Sequence, residues 1–169
     1  MVGETPGDME ERVACLVGPP GVGKTRLVLE VLSSDPALAQ RVRVALSPEE
    51  ALDALDTGRL LRRHPAVLLI VDDCLPTEAD MVAARFRAAA RAGSSVHLLV
   101  LTPASSDVIK ESRIRHTFYL EPLDADSARK VVADEIGRDT DDADVVAMAE
   151  LSQGFPWFAR LLAVEAREE

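Results

Sequence analysis

Strand-length apolar runs alternate with stretches of helical period along the first two thirds of the chain. Arg12 to Val17 is almost continuously apolar, the pattern of a central parallel strand covered on both faces. A helical pattern through Leu27, Val28, Val31 and Leu32 stops at about Ser33, ahead of Asp35-Pro36, because the residue before a proline is driven away from helical backbone. Arg41 to Leu46 alternates as a short second strand. Ser47-Pro48-Glu49-Glu50 then supplies an N-cap, a first-turn proline and two acids against the helix dipole, predicting a helix from Pro48 to about Arg63 with Gly58 as its weak point. Ala66 to Val71 is the most apolar run and ends in Asp72-Asp73. Thr77 to Ala92 predicts a helix closed by Gly93, and Val96 to Leu101 a fourth strand ending at Thr102-Pro103. A short helix from Ser106 to about Ser112 leads to a fifth strand, His116 to Leu120.

This alternation specifies an α/β fold, a five-stranded parallel sheet flanked by helices. After Pro122 the rhythm changes and three helices are predicted. Asp124 caps the first, closed by Gly137; Asp141 or Asp142 caps the second, reaching about Ser152; Gly154 and Pro156 precede the last, which runs to about Arg167. Residues 1–122 therefore read as the α/β core, with a loose lead-in of about ten residues, and residues 123–169 as a small helical lid. Trp157, Phe158, Leu161 and Leu162 are expected in the core of that lid.

Between the first strand and the first helix stands Gly18-Pro19-Pro20-Gly21-Val22-Gly23-Lys24-Thr25, followed by Arg26. Its glycines permit positive φ and bring successive N–H groups around an anion at the positive end of a helix. This is a phosphate-binding P-loop, and the bland alternative is a merely tight strand-to-helix turn. The anion it suits is a triphosphate: Lys24 would reach the β- and γ-phosphates, and the Thr25 hydroxyl would join the coordination of Mg²⁺. The apolar strand ending in Asp72-Asp73 has the form of a Walker B element. Asp72 would hold the metal through water, and Asp73 would orient or deprotonate the attacking water.

With 169 residues, 47 % of them hydrophobic and 28 % charged, the chain is long enough for one domain with a real core. A net charge of −10 disfavours binding to nucleic acid through this domain, since phosphate backbones are held by basic surface. No apolar run reaches membrane-span length and the first residues are polar and acidic, so the expected setting is cytoplasmic, with no membrane contact. Cys15 and Cys74 read as reduced thiols, the second either near the site or inert. The absence of asparagine rules out the Asn-Lys-x-Asp guanine reader and favours adenine. His64, His97 and His116 lack partners at ligand spacing, and Asp139, Asp141, Asp142 and Asp144 suit helix capping better than calcium.

On the P-loop with Arg26-Leu27, on Leu69-Ile70-Val71-Asp72-Asp73, on Leu120-Glu121-Pro122-Leu123 and on Gly154-Phe155-Pro156, the chain resembles the signal-transducing P-loop ATPases called STAND, an NB-ARC-like branch of the AAA+ class. The resemblance implies a strand order of 5-1-4-3-2, binding of ATP or ADP with Mg²⁺ between sheet and lid, and Pro156 near the adenine. It carries over Thr102 as the polar residue closing the fourth strand, and leaves Arg26 open as a sensor in cis. Arg113 and Arg115 precede the fifth strand, where AAA+ relatives present an arginine to a neighbouring subunit's γ-phosphate; the alternative is a solvated pair. Because relatives continue into further domains, the chain is expected to be a fragment or a stand-alone module. The implied activity is a Mg²⁺-dependent ATP-binding and ATP-hydrolysing switch that works through self-association or through partner effector or sensor domains. The alternatives are a non-hydrolysing ATP/ADP-binding assembly module and, more remotely, a small-molecule kinase.

Overall fold

The computed structural model describes residues 11–57, 68–90, 96–103 and 114–167. Five parallel strands form one sheet in the order β2-β3-β4-β1-β5, which read from the other edge is the expected 5-1-4-3-2. They are β1 (Val13–Gly18), β2 (Val42–Ala45), β3 (Leu68–Val71), β4 (His97–Pro103) and β5 (His116–Tyr119). β1 pairs with β4 on one side and β5 on the other, so Cys15 stands between Val100 and Thr117. Val13, Cys15 and Val17 are buried on one face of β1 and Leu16 on the other, as expected for a strand covered on both faces.

The helices are α1 (Lys24–Ser34), α2 (Pro36–Ala39), α3 (Pro48–Asp56), α4 (Pro76–Ala90), α5 (Ala125–Ile136), α6 (Ala143–Ser152) and α7 (Pro156–Glu165). Ser47 caps α3 by accepting from the Glu50 N–H, Thr57 is its C-cap, and the expected continuation past Gly58 to about Arg63 lies outside the described residues. The expected helix at 106–112, Gly93 and Arg113 also fall outside the described residues. The single turn of α2 was not expected: Asp35 caps it by accepting from the Leu38 N–H, using as a helix start what the sequence suggested as a stop. Helix α1 departs in another way. Leu27, Leu29 and Val31 are exposed, so the helix carries apolar positions that the described core does not cover.

By packing, the chain divides into two units. One takes the described residues up to Gly18 and within Thr25–Tyr119; the other takes Pro19–Lys24 together with the described residues within Leu120–Glu169. In the first, Ala51 and Leu55 of α3 and Ala79, Val82, Ala83, Phe86 and Ala90 of α4 pack against the inward residues of β1, β3 and β4. In the second, a core of Ala128, Val132, Ala133, Val145, Ala149, Ala159 and Ala163 joins α5, α6 and α7. Asp124 and Asp142 cap α5 and α6, and Gly137 closes α5 in the left-handed region with φ of 72°. Trp157, Phe158 and Leu161, expected inside, are exposed. The alanines of α7 face its neighbours, and the large residues take the opposite side.

Phe86 is the largest side chain without exposure. Phe86→Ala should lower unfolding free energy by about 3–5 kcal/mol, the range for deleting a buried aromatic ring. A denaturant titration checks this, and a change below about 1 kcal/mol would show that the site collapses to fill the space.

Candidate functional site

The loop after β1 is shaped by glycine. Gly21 and Gly23 have φ of 79° and 105°, which side chains with a Cβ rarely adopt, and the Val22 N–H donates to the Pro19 carbonyl at 3.3 Å. Lys24 is nearly buried, and its Nζ donates to the same Pro19 carbonyl at 3.1 Å, holding the ammonium over the loop. Within this unit the loop packs on the turn before α7. A Cβ built on Gly21 would stand 3.9 Å from Cδ1 of Phe155, and one on Gly23 would stand 3.9 Å from Cγ of Pro156. Pro156, expected at the base, thus lies beside the phosphate loop.

In the other unit, β3 delivers its acid pair to the carboxyl end of the sheet. That is where open α/β sheets hold ligands. The Asp72 N–H donates to the Ala45 carbonyl at 3.0 Å, continuing the ladder, and the carboxylate then turns toward α1. Thr25 Oγ1 donates to Asp72 Oδ2 at 2.8 Å, although β4 lies between β1 and β3 in the sheet. The other oxygen, Oδ1, accepts from the Asp73 N–H at 2.9 Å. Asp73 is exposed and has φ of 50°, an uncommon setting for a residue other than glycine.

These groups can be tested against a metal. A hydroxyl and a carboxylate in mutual contact are hard oxygen donors of the kind Mg²⁺ takes while keeping most of its waters and adding phosphate oxygens. Among the described residues no cluster of three or more His, Cys, Asp and Glu forms a protein cage. The donors present therefore fit Mg²⁺ brought with a phosphate, and a loop with two glycines in positive φ fits the phosphate.

The remaining candidates make other contacts within the chain or face solvent. Thr102 is fully buried, with its Oγ1 3.4 Å from Cys15 Sγ. Arg26 is on the exposed side of α1, 3.2 Å from Glu30 at i+4. Arg115 is exposed just ahead of β5. Pro20 is exposed at the loop tip, and Gly18 is buried as the last residue of β1. Phe155 entered the sequence reading only as the middle residue of Gly154-Phe155-Pro156, and its place directly before a helix-starting proline, where an oxygen-bearing cap is usual, is a further legible signal.

No protein-family model matches the chain, and no curated protein does either. Among solved structures it is similar to the AAA domain of FIGL-1 in complex with ADP, with a TM-score of 0.59 and 18 % identity over 92 % of this chain and 60 % of that one. It is likewise similar to a variant of RuvB from Thermotoga maritima, with a TM-score of 0.67 and 18 % identity over 93 % of this chain and 54 % of that one. The chain thus spans little more than half the length of these proteins. The likeness establishes the fold, that of an α/β P-loop NTPase.

Burial raises both thiols, and for Cys74 the shift reaches about 12 from 9.0, with nearby Glu78 adding to the loss of solvation. A thiol held neutral in the fold and free to ionise when unfolded contributes stability that is complete below pH 9 and lost as pH rises toward about 12. Melting temperature should accordingly fall over that window, and Cys74→Ala should flatten the fall. An equally steep decline in the variant would place the alkaline sensitivity elsewhere.

Proposed function

We propose that the chain is a Mg²⁺-dependent ATP-binding and ATP-hydrolysing switch module of a STAND- or AAA+-like regulatory ATPase. The observation that carries this reading is the Thr25–Asp72 hydrogen bond, which joins the residue after the phosphate loop to the strand-end acid. The P-loop NTPase fold supports it, and the ADP held by the FIGL-1 domain favours an adenine nucleotide here as well.

In this reading the loop N–H groups and Lys24 bind the phosphates, which requires Lys24 to exchange the Pro19 carbonyl for phosphate oxygen. Thr25 and Asp72 would hold Mg²⁺, the hydroxyl directly and the carboxylate through water. When bound, the ion neutralises charge developing on the phosphate oxygens. Asp73, which is exposed, positions a water and accepts its proton. Pro156 contributes an apolar edge to the base. Arg113 and Arg115 serve as donors to a neighbouring subunit's nucleotide, so the isolated chain turns over slowly. The helical residues act as the lid whose setting follows the nucleotide for an attached or partner domain. The free thiols of Cys15 and Cys74 fit a reducing, cytoplasmic setting.

A second reading, tight nucleotide binding without turnover in an assembly module, is favoured by the placement of Thr102 against Cys15 and of Arg26 against Glu30. Each polar group already has a partner within the chain in place of a phosphate.

Two variants test the reading. Lys24→Ala should weaken MgATP binding by about 10- to 100-fold, the value of a lost charge-assisted contact, without unfolding the chain. Calorimetric titration with ATP, ADP and GTP measures it, and unchanged affinity would remove the loop from the site. Asp73→Asn should keep affinity and reduce phosphate release by about 10²- to 10⁴-fold, because asparagine tolerates the left-handed backbone but accepts no proton. Equal turnover in parent and variant would discard Asp73 as the base. Absence of phosphate release from the parent at every protein concentration would favour the second reading.

A further inference from the structure

The turn between α6 and α7 is held more firmly than a connection requires. Ser152 is fully buried; its hydroxyl donates to the Ala149 carbonyl at 2.7 Å and accepts from the Gly154 N–H at 3.3 Å. The Phe155 N–H donates to the Ser152 carbonyl at 3.0 Å, and from the start of the helical segment the Leu123 N–H donates to the Gly154 carbonyl at 2.8 Å. Gln153 and Gly154 are both left-handed, with φ of 51° and 77°. A Cβ on Gly154 would stand 2.2 Å from the Leu123 oxygen, so only glycine fits. The backbone at Phe155 therefore cannot shift without carrying its surroundings.

Phe155 is the N-cap of α7, extended at φ −83° and ψ 110°, and its side chain makes no capping hydrogen bond. Serine, threonine, aspartate or asparagine there would satisfy one of the free N–H groups of the first turn. The helix forgoes that bond, and the ring in its place lies against Gly21 of the phosphate loop. A position that breaks a local rule while making a specific contact elsewhere is the kind that marks function.

We propose that Phe155 is a positioning residue through which the phosphate loop and α7 respond to one another. Gly21 and Gly23 have no side chains to absorb a change of loop backbone, so a rearrangement around bound phosphate bears on the ring. The ring stands on a turn too constrained to yield alone, and the displacement passes into α7. This rests on the nucleotide reading above and adds a residue that conveys binding without making it.

The chain carries its own reporter. Its single tryptophan, Trp157, is exposed two residues beyond Phe155 on α7 and stacked on Phe158 with ring centroids 6.4 Å apart. Trp157 emission is followed while MgADP or MgATP is added to the parent, Phe155→Ser and Phe155→Leu, with affinity measured separately by calorimetry. Phe155→Ser restores the missing cap, so it should melt no lower than the parent and bind MgADP within a few-fold of it, yet lose most of the emission change. Phe155→Leu, which keeps apolar bulk at the loop, should retain the change. An undiminished emission change in Phe155→Ser, or none in a parent that binds nucleotide, overturns the proposal. Loss of MgADP binding in a folded Phe155→Ser also overturns it, by placing the ring in the binding site itself. If the parent binds no nucleotide, the failure lies with the nucleotide reading, and the coupling falls with it.

Discussion

Strand β1 is hydrogen-bonded along both edges, to β4 and to β5, and its Cys15, Leu16 and Val17 are buried. The chain leaving it at Gly18 consequently starts from a point that cannot slide without breaking two ladders and turning apolar residues to the wrong face. The same constraint acts on β3, whose Val71 is matched to Ala45 and Val100. Two chain exits are thus held at the same end of one sheet. Thr25 and Asp72 meet from those exits, 47 residues apart in sequence.

Much of this was legible in the chain. The buried strands betray themselves by unbroken apolar runs, and the loop by glycines expected in positive φ, borne out at Gly21 and Gly23 but not at Gly18, which stays extended as the last residue of β1. Capping acids mark the helix starts, as Asp124 and Asp142 show. What could not be read depends on which faces meet. Periodicity says that α7 has apolar residues on several sides but not that alanines do the packing while Trp157 and Phe158 remain outside. Nor does composition reveal that Thr102 finds a thiol, because the match of Val17 to Thr102 and Cys15 to Val100 exists only once β1 and β4 are in register. The contact of Phe155 with Gly21 joins residues 134 positions apart and leaves no local trace beyond a missing cap.

The grouping of Pro19–Lys24 with the helical segment changes how the phosphate loop is understood. In sequence it is the continuation of β1. By packing it belongs with Phe155 and Pro156, while Thr25, one residue on, belongs with the sheet unit. The loop backbone and the Thr25 hydroxyl therefore belong to different packing units although they are covalent neighbours.

The core of the helical unit is built mainly from alanine, with Ala128, Ala133, Ala149, Ala159 and Ala163 between the helices. Methyl groups let helices approach closely, and such a seam has no slack: an added methylene forces backbone apart rather than filling space. Over evolutionary time, drift in this part of the molecule is channelled outward. Leu151, Trp157, Phe158, Leu161 and Val164 lie on the exposed side and are not bound by the seam. Two descendants of this chain could therefore keep one internal architecture and acquire unlike exteriors, so the inner alanines would record common ancestry and the outer residues would record how the lineages parted.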